Sequence, residues 1–151
     1  MIAARGWDGA IAVYDVPENR HENHILKTST VPADIAGETS EAARAMALMG
    51  AEILLYPTAI GSEPGDPSYD SSNHWQNAMR GHAAANIMPL AASNRVGREA
   101  APDGRADTFY GRSFIADCHG EKLTEMDRVE EGVRLQSFDL AAVGELRRTW
   151  G

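Results

Sequence analysis

A single cysteine, a shortage of basic residues and the lack of any long apolar run narrow the field before a motif is read. Cys118 alone cannot form an internal disulfide, which fits a reducing compartment. Lys and Arg total 14 against 22 Asp and Glu, a net charge of -8. No basic run interrupts that balance, so a nucleic-acid backbone, which requires a Lys/Arg-rich face, is not an expected partner. No apolar stretch approaches the roughly 20 residues that span a bilayer, so no membrane is expected either. The opening "MIAARGWDGA" has one arginine and no apolar centre, and does not read as a secretory signal. There is no Gly-x-Ser-x-Gly elbow, phosphate-cradling glycine loop or Cys-x-x-Cys pair. What is present is 151 residues, one domain's worth or part of a larger one, with 43% apolar and 24% charged residues. The expectation is a soluble, acidic, cytoplasmic α/β protein.

Along the chain, "AIAVYD" (10–15) reads as a short strand closed by a Pro-Asn turn, with "HILK" (24–27) as its candidate hairpin partner. A helix is expected from an N-cap at Thr39 or Ser40. Glu41 then lies at the positive end of the dipole, and Gly50 stands where a left-handed residue ends a helix. "EILLY" (52–56) is nearly all apolar, as in a strand covered on both faces. The loop "PTAIGSEPGDPSYDSSN" (57–73) is long for a compact domain, and long loops are more often functional. A second helix is predicted from Asn73 to Asn86, with Trp75, Ala78, Met79, His82 and Ala83 on its buried stripe. "IMPLAAS" is a strand whose Pro89 suits an edge or a strand start. A hairpin with a Pro-Asp-Gly turn, three further strands and a short helix complete the chain. The order predicts a mixed α/β fold.

Each candidate for chemistry has a plainer alternative. Cys118 lies in a glycine-containing turn beside Asp117, whose charge raises a thiol pKa, so it reads as a bystander. His21, Glu22 and His24 in "HENH" have a metal-like spacing, but no second cluster completes a site; a solvated loop is the better reading, and no metal or cofactor is expected. His82 on an apolar face reads as a satisfied core histidine. Glu63, held between Gly61 and Pro64 beyond the C-terminal end of a buried strand, is either an exposed glutamate or an anchor for a cation.

The wording of several stretches goes further. "EAARAMALMGAEILLYPTAIGSEP", "HWQNAMRGHAAANIMPLAASNRVG", "TFYGRSFIAD", "FDL" and "RRTWG" resemble the N-carbamoylputrescine amidases of the nitrilase (carbon-nitrogen hydrolase) superfamily. The resemblance is strong over 41–151 and weak over 1–40, where "WDGAIAVYD", "ILKTSTVP" and "AGETS" echo family segments. It implies a partial nitrilase-like α-β-β-α sandwich, a single incomplete domain over 1–151, packed against a second copy as a homo-oligomer. It also implies hydrolysis of N-carbamoylputrescine to putrescine, ammonia and carbon dioxide in polyamine biosynthesis. Family enzymes join a Glu, a Lys and a Cys: the thiolate attacks the carbamoyl carbon, Glu moves protons, Lys stabilises the oxyanion, and water clears the acyl-enzyme. In this sequence the resemblance offers no counterpart of the family's glutamate, Ser40 adjoins Glu41 where the family has further strands and a Cys-Trp-Asp segment, and Lys27 is the candidate for the lysine. Thr58, Ala59, Ile60 and Glu63 are implied as the substrate wall, with Glu63 as the clamp for the ammonium. The alternative is a non-catalytic subunit module that keeps the diamine-binding loop.

Overall fold

The computed structural model describes residues 2–5, 11–13, 28–30 and 40–150, apart from 64, 67, 101 and 103. In order these form β1 (Ile2–Arg5), β2 (Ile11–Val13), β3 (Thr28–Thr30), α1 (Ser40–Leu48), β4 (Ile53–Thr58), α2 (Ser72–Asn86) and β5 (Leu90–Asn94). There follow β6 (Val96–Ala100), β7 (Ala106–Tyr110), β8 (Phe114–Ala116), β9 (Lys122–Glu125), β10 (Val133–Gln136) and α3 (Leu140–Thr149).

The central sheet runs β3-β4-β5-β8-β9. Its first three strands are parallel and the last two pairings antiparallel. Parallel β4 and β5 need a crossover, which α2 supplies. Pro89 precedes β5 immediately, so of the two expectations for it the strand start holds; β5 itself lies inside the sheet, where a proline could not donate to the ladder. A second sheet, β10-β1-β2, is antiparallel, and β6-β7 form a separate hairpin. The described partner of β2 is β1; "HILK" and "HENH" lie outside the described residues.

Both helix stops follow from local chemistry. Gly50 takes φ 93°, its N–H bonds to Ala47 O, and Ala51 N–H reaches Met46 O, which satisfies the last carbonyls of α1. The same two-bond cap ends α2, but the left-handed position is held by Ile87 at φ 48°, a costly choice for a β-branched residue. Arg147 of α3 then donates to the Ile87 carbonyl from Nε and Nη2 and to the Ala51 carbonyl from Nη1, at 3.1–3.2 Å. A cation at the negative end of a helix is favourable. With no buried residue of its own, α3 is attached at its C-terminal half by this arginine.

Strand alternation divides the core between two faces. Leu54, Tyr56, Leu90, Ala92, Phe114 and Ala116 meet Ala43, Trp75, Met79, Ala83 and Met88 on the helical side. Ile53, Leu55, Ala91 and Ile115 form the other side, where Phe138 and Leu140 pack. "EILLY" is thus covered on both faces, as its composition predicts. Trp75 meets Phe114 edge-on, ring centres 5.8 Å apart, an arrangement aromatic quadrupoles favour.

Candidate functional site

Beyond the C-terminal end of β4 the chain enters the long loop, and one side chain at the end of β5 organises it. Asn94 is almost wholly buried. Its Oδ1 accepts from Ile60 N at 2.8 Å and from Thr58 Oγ1 at 3.2 Å. Its Nδ2 donates to Ile60 O and to Gly111 O, both at 3.0 Å. Both acceptor positions and both donors of the carboxamide are therefore used. Thr58 has a single hydroxyl hydrogen, which it shares between Asn94 Oδ1 and Ser93 O, the latter at 3.0 Å.

With Thr58 and Ile60 pinned, the wall residues fall into distinct environments. Thr58 is half-buried, Ala59 exposed, and Ile60 packs its side chain against the helical-side core. Glu63 is exposed, and its carbonyl accepts from Asp66 N at 3.1 Å in a tight turn. The Glu63 carboxylate makes no hydrogen bond or ion pair with the described residues. Its acidic neighbours are already engaged. Asp66 accepts from the backbone and hydroxyl of Ser68, which hold its carboxyl below the usual range. Asp70 is lowered to about 2 by its bonds from Ser72, with Arg128 adding its charge at 2.6 Å. Of the three loop carboxylates, Glu63 is the one with no hydrogen-bond or ion-pair partner among the described residues.

The other candidates stand apart from this loop. Cys118 is buried in the β8–β9 turn, and burial first, then the charge of Asp117, pushes its thiol up. A nucleophilic cysteine needs the opposite shift. His82 is buried and shares a 3.0 Å hydrogen bond between Nδ1 and the Tyr56 hydroxyl. It also lines a groove of about 430 Å³ between α1 and α2 with Glu41, Arg44, Ala85 and Asn86, none of which belongs to the loop. Burial lowers the His82 pKa, with Glu41 acting against the shift. Lys27 lies outside the described residues. Among the described residues no group of three His, Cys, Asp or Glu could hold a metal, and no helix is long and apolar enough to cross a membrane.

A lysine and a glutamate do meet elsewhere, without a sulfur. Lys122 Nζ bonds Glu125 Oε2 and Gln76 Oε1, while Arg112 donates to Glu125, Ser72, Asn73 and Gln76. Burial alone would raise Glu125, but bonds from Lys122, Gln76 and Arg112 outweigh it and hold the carboxyl low. This knot ties the start of α2 to β9 and holds Glu125 as an ionised acceptor, with both positions on Oε1 filled and one on Oε2 taken by Lys122. Arg112 sits at φ 58°, a left-handed backbone that these side-chain bonds must overdetermine.

Sequence reasoning missed Asn94, Gly61, Ser62 and Tyr110, the residues that shape the loop. A lone asparagine closing "PLAASN" has no periodicity to mark it, and the close approach of Gly61 to β7 involves residues nearly fifty positions apart.

Comparison with known proteins places this geometry in context. Residues 36–148 match the family described as Carbon-nitrogen hydrolase. The chain is 57% identical over 111 residues to the citrullinase of Francisella tularensis, covering 74% of this chain and 38% of that protein. It is 53% identical over 114 residues to the N-carbamoylputrescine amidase of Arabidopsis thaliana, with the same coverages. The chain thus spans well under half the length of these relatives. Among solved structures, a carbon-nitrogen hydrolase from Helicobacter pylori matches with TM-score 0.74 and 40% identity, covering 82% of this chain and 44% of that one.

Proposed function

Since the chain belongs to the carbon-nitrogen hydrolase family, we propose that loop 58–63 is one wall of a site for an N-carbamoyl alkylamine, foremost N-carbamoylputrescine. The observation that carries the reading is the loop itself: Thr58 and Ile60 are fixed by Asn94, while Ala59 and Glu63 are exposed and the Glu63 carboxylate has no partner among the described residues. A rigid backbone beside a free carboxylate suits an alkyl chain ending in ammonium, held by a charge-assisted hydrogen bond. Citrulline and N-carbamoylputrescine share the carbamoylated amine and differ at the far end, where citrulline adds a carboxylate. Glu63 repels that carboxylate and attracts the lone ammonium, so the diamine derivative is the preferred ligand.

In this reading Lys27 is the cation that stabilises the carbamoyl oxygen, as the family resemblance implies. The attacking thiolate is not Cys118, whose position and raised pKa are both wrong for it. In this reading the chain by itself binds and does not turn over; hydrolysis, and with it a role in cytoplasmic polyamine synthesis, requires both a nucleophile and the glutamate base, as an assembly with a second chain could supply.

Isothermal calorimetry tests the reading. N-carbamoylputrescine should bind saturably, more tightly than citrulline, and Glu63→Gln should weaken it about tenfold, the worth of one charge-assisted bond at a partly exposed site. Equal affinity of wild type and Glu63→Gln would remove Glu63 from the site, and no binding of either ligand would end the proposal.

A further inference from the structure

The loop does not stand alone; it is docked along the free edge of β7. Ser62 N donates to Thr108 O at 2.9 Å, and Thr108 N donates back to the Ser62 hydroxyl at 3.0 Å. That hydroxyl takes the place a carbonyl would have in a strand ladder. Tyr110 N donates to Ile60 O at 3.2 Å, and Gly61 bridges Phe109 in antiparallel sense. Residues 60–62 thereby act as a third strand on the β6–β7 hairpin. Gly61 is required by distance: a Cβ there would lie 2.6 Å from Thr108 O and 3.1 Å from Phe109 Cα, both backbone atoms. No side-chain adjustment relieves such a contact.

The far end of the loop is held by the same strand. The Tyr110 hydroxyl lies 3.3 Å from both Ser71 N and Ser71 Oγ, and 3.5 Å from Tyr69 O. Between these two anchors stands the turn at Glu63 and Asp66. Strand β7 is the spine against which Glu63 is set.

We infer that Gly61, Ser62 and Tyr110 are positioning residues: through them the β6–β7 hairpin fixes the wall of the site and the direction in which Glu63 is presented. The inference rests on the binding reading above for its consequence, and on the hydrogen bonds alone for its geometry. A hairpin shift would move Glu63 away from the ligand's ammonium while leaving β4 and β5 intact.

Two readouts separate these parts: amide hydrogen exchange, and calorimetry with N-carbamoylputrescine. In Gly61→Ala the Ser62 and Tyr110 amides should exchange about tenfold faster, with β4 and β5 amides unchanged. Affinity should fall about tenfold, as for the loss of one oriented contact. Ser62→Ala should do the same to the Thr108 amide, and Ser62→Thr, which keeps the hydroxyl, should restore both readouts. Unchanged exchange in Gly61→Ala overturns the docking. Faster exchange with unchanged affinity overturns the positioning role. If wild type binds no ligand, the positioning role falls with the binding reading, while exchange still decides the docking. Should Gly61→Ala fail to fold, the Ser62→Ala and Ser62→Thr pair decides both parts.

Discussion

Replacing Asn94 with alanine removes four hydrogen bonds, but the cost depends on which partners are left with nothing. Thr58 Oγ1 keeps Ser93 O, and Ile60 O keeps Tyr110 N–H. Ile60 N–H and Gly111 C=O lose the partner described for each. A buried polar group left unpaired costs about 1–3 kcal/mol, so two cost about 2–6; water reaching half-buried Ile60 brings that toward about 2–4 kcal/mol. For a chain of this size the melting temperature should fall on the order of 10 °C. Thermal melts followed by circular dichroism, paired with urea midpoints, read this directly. Asn94→Asp sharpens the test, because it keeps the acceptor towards Ile60 N–H and loses both donors. A buried carboxyl facing two carbonyls is easier to protonate, so its native pKa lies above the usual value for aspartate. Protons then bind the folded state more tightly, and the variant's deficit should be smallest below about pH 4 and widen as pH rises through that elevated value. A melting shift below about 2 °C for Asn94→Ala, or a deficit in Asn94→Asp that does not grow with pH, would refute the accounting.

Three further outcomes are expected. Arg147→Ala should cost about 1.5–3 kcal/mol, since charged hydrogen bonds to two helix-end carbonyls are lost, and Arg147→Lys should recover little because one ammonium cannot span both; urea denaturation measures this. His82, neutral and depressed by burial, should leave stability intact above its ordinary value of 6.5 and reduce it as pH falls from there toward the lowered native value; a melt series showing no such decline, or the same decline in His82→Gln, would count against the assignment. Cys118 should react slowly with an aromatic disulfide reagent in the folded chain and fully after unfolding in guanidinium; fast reaction at neutral pH would mean an activated thiol.

What could be read in advance was whatever local chemistry dictates. Gly50 announces the end of α1, and Pro102 and Gly104 announce the β6–β7 turn, where Gly104 has φ 88°. The apolar run of β4 and the stripe of α2 predict their own burial, and the start of α2 differs from expectation by one residue. The architecture of the site was less accessible, because its causes are distant in sequence. Asn94 acts on residues 34 positions away, and Ser62 on a strand 46 away. Ile87 in a left-handed conformation contradicts its own propensity; it closes the two-bond cap of α2, and its carbonyl is held by Arg147, 60 residues later. The Lys122–Glu125–Arg112 knot assembles charges from a turn and a strand that no spacing rule connects to α2.

The central claim is a ligand-binding wall separated from its chemistry, and ammonia release under saturating N-carbamoylputrescine measures it most directly. With calorimetry confirming that the ligand is bound, the chain should release no ammonia above the blank, and Cys118→Ala should behave identically. Sustained ammonia release from the bound chain that vanishes in Cys118→Ala would contradict the account.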